Sequence, residues 1–138
     1  MNKNVVVDTN ILIAFYNQGK YEDDLLSLNR NKNLHISAIT LNEFIRGAHD
    51  PVSKQIVSSF LELIQGKVIT PTEKDWIDCA KISEQLLVSK KRSKENILLL
   101  QNDILIALGT KANFSTLITT DKDFELIRRF ISIPIEWW

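Results

Sequence analysis

Four acidic residues stand where a carboxylate can take part in chemistry. Asp8 ends the apolar run "VVVD", and Asp121 follows a second apolar run, "LITT". Asp103 interrupts the apolar stretch "NILLLQNDILIALGT", and Glu43 follows the short run "LHIS". Ligand sets made only of oxygen, without His or Cys, suit hard cations such as Mg²⁺ or Mn²⁺. If the four carboxylates converge, they can hold an ion that activates water and neutralises a phosphodiester, which is hydrolytic chemistry.

Of the four acids, Asp103 is the hardest to explain by a purely structural role. At 3.6 residues per turn it shares one helix face with four apolar neighbours, which are Leu99, Leu100, Ile106 and Ala107. A carboxylate in an apolar stripe is costly to bury unless it is hydrogen-bonded, paired or bound to a metal. The structural alternative is a buried salt bridge or the cap of a neighbouring helix. The spacing of the residues does not decide between a metal ligand and a structural role for Asp103.

Asp8 and Glu43 are ambiguous when each is taken alone. An acid at the end of a first strand suits a metal ligand, a phosphorylated aspartate or a helix cap. Glu43 lies in a helix that Ser37 or Thr40 could cap, and its structural alternative is a capping-box pair with Thr40. Only the other features of the sequence can distinguish between these interpretations of Asp8 and Glu43.

The acids must be positioned by alternating strands and helices. Short apolar runs predict strands covered on both faces, and longer runs with one apolar stripe predict helices between them. One helix is predicted to stop at Gly66, and the next is predicted to be capped by Thr72. The pattern indicates an α/β fold, a three-layer α/β/α sandwich around a mostly parallel sheet of four to five strands. The predicted strands are Asn4–Val7, Leu34–Ser37, Lys67–Thr70, Thr116–Thr119 and Ile131–Pro134.

That architecture constrains the site. In an open parallel sheet, ligands gather outside the carboxyl ends of the strands. Asp8 and Asp121 both follow strands, so we expect their carboxylates to open on the same edge.

Composition sets broad limits. A chain of 138 residues suits one domain, residues 1–138. Lys+Arg 17 equals Asp+Glu 17, so bulk charge does not predict binding to nucleic acid or to an anionic membrane. The single cysteine, Cys79, cannot form an internal disulfide, and no apolar run approaches the ~20 residues of a membrane span. These features predict a cytoplasmic protein with no membrane partner.

Two phosphoaspartate classes fit poorly. A haloacid dehalogenase also has an acid after its first strand, but it needs a second aspartate two residues on, where this chain has Asn10. A response-regulator receiver needs paired acids before its phosphorylated aspartate, and "NKNVVVD" has none.

The sequence resembles the PIN-domain ribonucleases, and more specifically the VapC-type toxins of bacterial and archaeal toxin–antitoxin pairs. The likeness lies in "VVVDTNILIA", "ISAITLNEFIRG", "NDILIALGTKA" and "LITTDKDFELI", which occur in the family's order. The resemblance implies an α/β/α fold, metal-dependent cleavage of RNA, a homodimer and a separate antitoxin that inhibits it. The alternatives are a PIN nuclease that processes RNA without being a toxin, and a silent module that binds RNA or protein.

The resemblance also assigns roles to residues that match the family's motifs. It implies a quartet of catalytic acids that bind Mg²⁺ or Mn²⁺, namely Asp8, Glu43, Asp103 and Asp121. Asp8 and Asp103 are the predicted principal ligands, and the other two bind directly, hold a second ion or orient water.

Further residues are predicted to support that quartet. Thr9 and Asn10 match the family's "DTN" and support Asp8 or contact the phosphate, and Thr119 or Thr120 does the same at the other strand end. Asp123 in "DKDF" matches a further family acid. Basic residues near the site are candidate contacts for RNA or for the antitoxin. They are Arg46, Lys90, Lys91, Arg92 and Lys94.

Overall fold

A computed structural model describes residues 3–89 and 94–138 of the chain, and these residues contain a five-stranded sheet. Each strand pairs with its neighbours in parallel, in the order β3-β2-β1-β4-β5. The strands are β1 (Asn4–Val7), β2 (Asn33–Ser37), β3 (Val68–Ile69), β4 (Thr116–Thr119) and β5 (Ile135–Trp137).

Helices connect the strands and cover both faces of the sheet. The described residues contain α1 (Thr9–Gln18), α2 (Glu22–Asn31), α3 (Ala38–Arg46), α4 (Pro51–Leu63), α5 (Glu73–Ser89), α6 (Lys94–Ala112) and α7 (Asp123–Ile127).

Alternation along the strands builds two apolar cores. On β1, Val6 packs into a core with residues of α5, α6 and α7, whereas Val5 and Val7 pack into a second core with α1, α3 and α4. On β4, Leu117 belongs to the first core and Ile118 to the second. Side chains of a strand point alternately to opposite faces, so a strand that is apolar throughout must be covered on both. The predicted three-layer α/β/α fold is therefore confirmed.

The predicted helix boundaries have identifiable physical causes. The Thr72 Oγ1 accepts a hydrogen bond from the Asp75 amide at 3.2 Å, and the Asp75 carboxylate accepts one from the Thr72 amide at 3.0 Å, which makes a reciprocal capping box before α5. α4 ends at Leu63 with Ile64 as its C-cap, before the predicted stop at Gly66, and Gly66 has a left-handed φ of 77° in the turn that follows. Ser37 caps α3, because its hydroxyl accepts from the Ile39 amide at 3.2 Å.

The last predicted strand was wrong. The sheet is completed by Ile135–Trp137 and not by Ile131–Pro134. Ile131 and Ile133 are buried in the core, which explains their strand-like alternation. Pro134 has no N–H to donate, but its carbonyl accepts from the Leu117 amide at 3.0 Å and leads the chain into β5.

Topology fixes where a ligand is expected. The chain runs from β1 outwards through β2 to β3 and then crosses to β4 on the other side of β1. The switch point therefore lies between β1 and β4, where ligands of open α/β sheets bind at the carboxyl ends of the strands. Asp8 directly follows β1, and Asp121 follows β4 by two residues.

None of the helices in residues 3–89 and 94–138 combines the length and the apolar character needed to cross a membrane.

The strand at the switch point is expected to be critical for stability. Ile118 on β4 has no exposed surface, so Ile118→Ala should lower the free energy of unfolding by about 2–5 kcal/mol through lost burial and a cavity. Leu63 on α4 is 69% exposed, and Leu63→Ala is the matched control with an expected change of about 0.5 kcal/mol or less. Urea denaturation of both variants measures the difference, and equal losses would contradict the assignment of this core.

Candidate metal centre

Three carboxylates approach one another at the carboxyl edge of the sheet. One oxygen each from Asp103, Asp121 and Asp123 lies within 4.8 Å of the others. Asp103 comes from the middle of α6, Asp121 from the loop after β4, and Asp123 from the first position of α7. Asp103 and Asp121 are partly buried, whereas Asp123 is exposed. Three oxygen ligands at this separation are a donor set that suits a hard divalent cation.

Threonine and backbone groups hold the loop that carries two of these acids. The Asp121 amide donates to the Thr119 Oγ1 at 3.0 Å, and the Asp123 amide donates to the Asp121 Oδ1 at 2.9 Å. The Thr119 hydroxyl in turn donates to the Asp8 Oδ2 at 2.8 Å. One fully buried threonine thus connects the acid after β1 with the acid after β4.

Asp8 lies at the end of β1 and is 2% exposed. Its Oδ1 accepts from the Thr9 amide at 2.8 Å, so Asp8 also caps α1. Burial raises the pKa of Asp8 to about 6, although the hydrogen bonds from Thr119 and Thr9 oppose this rise. The negative charges of Asp121 and Glu43 also contribute to the raised value of about 6. The cap leaves lone pairs on both oxygens, so it does not exclude binding to a metal.

Asp103 is the most strongly perturbed of these acids. Burial first, and then the charges of Asp8, Asp121, Glu43 and Asp123, raise its pKa from 3.8 to about 8. Within the described part of the chain, no Lys, Arg or His forms an ion pair with it. The buried salt bridge considered for Asp103 is therefore not found among those residues. Its pKa also shows that the other four acids lie within electrostatic reach of its carboxylate.

Glu43 is attached to the site through Thr9. The Thr9 hydroxyl lies 3.0 Å from the Glu43 Oε1 and 3.0 Å from the Thr40 hydroxyl. A hydroxyl has one proton and a carboxylate only accepts, so Thr9 donates to Glu43 and accepts from Thr40 when both contacts are satisfied. The N-cap of α3 is Ser37, so the capping-box pair between Thr40 and Glu43 was wrong.

Asn10 connects the start of α1 to the loop after β4. Its Nδ2 donates to the Thr120 Oγ1 at 2.7 Å. Its Oδ1 is buried and has no partner among the described residues. An unpartnered buried acceptor is costly in a folded protein and suits a site that takes up a hydrated ion or a substrate hydroxyl. The residues present therefore fit a divalent cation.

Thr119 and Thr120 were predicted as alternative supports of the site, and each makes a separate contact. Thr119 binds Asp8, and Thr120 binds Asn10. Thr40 was missed as a partner of Thr9. Thr40 could have been predicted, because it lies three residues before Glu43 and therefore on the same face of α3.

Of the basic residues predicted near the site, the structure describes Arg46 and Lys94. Arg46 is exposed at the end of α3, one turn after Glu43, and forms no ion pair with a described acid. Lys90, Lys91 and Arg92 lie outside the described residues. Lys94 is the first residue of α6.

Comparison with known proteins identifies the family. Residues 5–129 match the family model of the PIN domain. VapBC2 from Rickettsia felis bound to a DNA fragment from its promoter contains a similar chain, with 26% identity, a TM-score of 0.69 and 98% coverage of both chains. VapBC-1 from nontypeable Haemophilus influenzae gives 22% identity, a TM-score of 0.68 and 98% coverage of both chains.

DNA-bound VapBC from Salmonella typhimurium gives 23% identity, a TM-score of 0.68, and coverage of 100% of this chain and 99% of the other. The search of curated proteins found no match. The family model spans most of the chain and includes all four acids of the predicted quartet. The chain therefore belongs to the PIN domain family, and it is VapC-like, as its motifs predicted.

Proposed function

We propose that the protein, as one domain over residues 1–138, is a divalent-metal-dependent endoribonuclease and the toxin of a type II toxin–antitoxin pair. The observation that carries the nuclease proposal is the approach of Asp103, Asp121 and Asp123 at the β1/β4 switch point, with no ion pair to a cationic side chain among the described residues. The likeness to the Rickettsia felis VapBC2 chain supports the toxin proposal. Its proposed partners are RNA in the cytoplasm, a cognate antitoxin and a second copy of the chain.

The acids would hold Mg²⁺ or Mn²⁺. Asp103, Asp121 and Asp123 offer oxygens at a separation that suits one ion, and Asp8 lies beside them. When bound, the ion lowers the pKa of water and neutralises charge on a phosphodiester. Because burial and neighbouring charges raise the pKa of Asp103 to about 8, this carboxyl favours its protonated form at neutral pH, and a bound cation would favour the carboxylate.

The remaining residues orient the reacting groups. Thr119 and the Thr9 amide fix both oxygens of Asp8, which removes its rotational freedom before substrate binds. The Thr9 hydroxyl donates a hydrogen bond to the Glu43 Oε1 at 3.0 Å. We assign the Glu43 Oε2 as the acceptor of a proton from the attacking water. Asn10 offers its Oδ1 to the water or ribose hydroxyl that completes its hydrogen bonding.

A nuclease of this kind should depend on its acids and on divalent metal. Asp8→Asn and Asp103→Asn should each lower Mg²⁺- or Mn²⁺-dependent RNA cleavage about 100-fold or more, because each removes a ligand charge. Glu125→Gln on the exposed side of α7 is the matched control and should cleave as wild type does. Cleavage is measured with purified protein and labelled RNA. Wild-type rates in Asp8→Asn and Asp103→Asn would refute the assignment.

The stability of the metal-free protein should fall as the pH rises. Asp103 has a pKa of about 8 in the folded chain and 3.8 as its ordinary value, so the folded state holds a proton that the unfolded state releases. Stability from this group is fully present below about pH 4 and is lost as the pH rises through about 8. Asp103→Asn should flatten this dependence and raise the free energy of unfolding at pH 8 by about 1–3 kcal/mol.

Urea denaturation in EDTA at pH 5, 6.5 and 8 measures that change. Glu125→Gln on α7 is the control, because its exposed charge is not among those that raise the pKa of Asp103. Adding Mg²⁺ at pH 8 should raise the Tm of wild type through binding to the folded state, but not that of Asp103→Asn. Identical pH profiles for wild type and Asp103→Asn would contradict the electrostatic account.

The toxin proposal has a separate test. Expression of the chain should arrest bacterial growth, and co-expression of the small protein encoded next to it should restore growth. Asp103→Asn should not arrest growth, which ties the arrest to the acids. If growth is unaffected while the purified protein still cleaves RNA, the protein is a processing nuclease and not a toxin.

A further inference from the structure

A small cavity opens beside Glu43, between α1, α3 and α4. It has a volume of about 110 Å³. Its lining includes Ile13, Tyr16 and Asn17 from α1, Glu43 and Phe44 from α3, and Gly47 at the C-cap of α3. Pockets for drug-sized ligands measure roughly 300–1,000 Å³, so this cavity suits a single flat ring.

We propose that this cavity receives one base of the RNA, next to the phosphodiester that is cleaved. The inference rests on the proposed nuclease function and adds a determinant of substrate choice. A base held in a pocket fixes the register of a single strand, and such bases are recognised by stacking on aromatic side chains and by hydrogen bonds to their edges.

The cavity adjoins the acidic site. Glu43 belongs to both, since it contacts Thr9 at the site and also lines the cavity. Ile13 and Asn17 follow Thr9 by about one and two turns of α1, at ~5.4 Å per turn, and Gly47 follows Glu43 by about one turn. A strand whose phosphate lies at the acids therefore has the cavity within reach of an adjoining base.

The aromatic wall of the cavity is held rigidly. The Tyr16 ring packs edge-to-face on Phe44, with centroids 5.9 Å apart and an interplanar angle of 85°. Its hydroxyl is hydrogen-bonded to the Ser53 Oγ, and Ser53 donates to the Asp50 Oδ2 at 2.5 Å. A ring fixed at both ends loses little conformational entropy when a base packs against it.

Gly47 provides space in this cavity and not an unusual backbone conformation. Its φ of −78° and ψ of −10° are ordinary for any residue, and an added Cβ would lie 3.6 Å from the nearest heavy atom, the Phe44 carbonyl oxygen. A side chain is therefore compatible with the backbone and would narrow the cavity. Asn17 is exposed at the cavity, where its amide can both donate to and accept from the edge of a base.

The test uses the purified chain, Mg²⁺ or Mn²⁺, and a short RNA that contains a mapped cleavage site. Each nucleotide around that site is replaced in turn by an abasic one. In wild type, one abasic position beside the cleaved phosphodiester should lower kcat/KM about 10- to 100-fold, the range expected for loss of one stacked base. Gly47→Leu should lower kcat/KM on intact RNA by a similar factor, and the abasic change should then have little further effect.

Control variants distinguish the effect of filling the cavity from an effect on folding. Ser58→Leu adds the same side chain on an exposed part of α4 outside the cavity and should behave as wild type. The Tm of each variant establishes that it is folded. If Gly47→Leu does not fold, Gly47→Ala and Asn17→Ala are used in its place. In these variants the abasic nucleotide should lower kcat/KM by a smaller factor than it does in wild type.

Three outcomes would overturn the proposal in distinguishable ways. Equal abasic penalties in wild type and the cavity variants would show that no base enters. If the cavity variants cleave RNA as wild type does but no longer bind a co-expressed antitoxin, the cavity receives a side chain of the antitoxin and not an RNA base. Absence of RNA cleavage by wild type would contradict the nuclease function itself, and the base pocket with it.

Discussion

Repulsion among carboxylates at the β1/β4 switch point is the constraint on which the site depends. Asp8 and Asp103 are partly or fully removed from water, and burial and neighbouring acids raise their pKa values to about 6 and about 8. No cation balances them within the described part of the chain. A protein that keeps such groups together loses stability unless protons or a metal ion neutralise them. That demand supports the proposal of a divalent ion more strongly than the presence of any one acid.

Short polar side chains hold the acids against this repulsion. Thr119 binds Asp8, and Thr9 binds Glu43, so each contact joins elements that are far apart in sequence but adjacent in the sheet or on its face. Hydroxyls stabilise carboxylates by donating a hydrogen bond, yet they add no positive charge that would compete with a metal. The threonines therefore fix the direction of the carboxylates and leave the charge of the site negative.

The sequence predicted the layers of the fold and the edge at which the acids meet, because both follow from local patterns. The apolar run before Asp8 indicated a buried strand, and the helical period put Asp103 on an apolar face. The contacts of Thr9 with Thr40 and Glu43 were not predictable in this way, since they span 31 and 34 residues and depend on how α1 packs against α3. The prediction of a strand at Ile131–Pro134 was wrong because alternate side chains are also buried in this segment, which precedes the strand β5.

The cavity between α1, α3 and α4 gives the two proposals a common physical basis. Thr9 and Glu43 are in contact where the cavity adjoins the acids, and the small Gly47 provides space about one turn further along the chain from Glu43. Phosphate contacts position a nucleic acid but carry little sequence information, whereas contacts with bases discriminate between sequences. A site made only of acids and a metal would cleave any strand that reached it. An adjoining cavity with a fixed aromatic wall would restrict cleavage to strands that can place a base there, which separates the chemistry at the acids from the selection of the RNA.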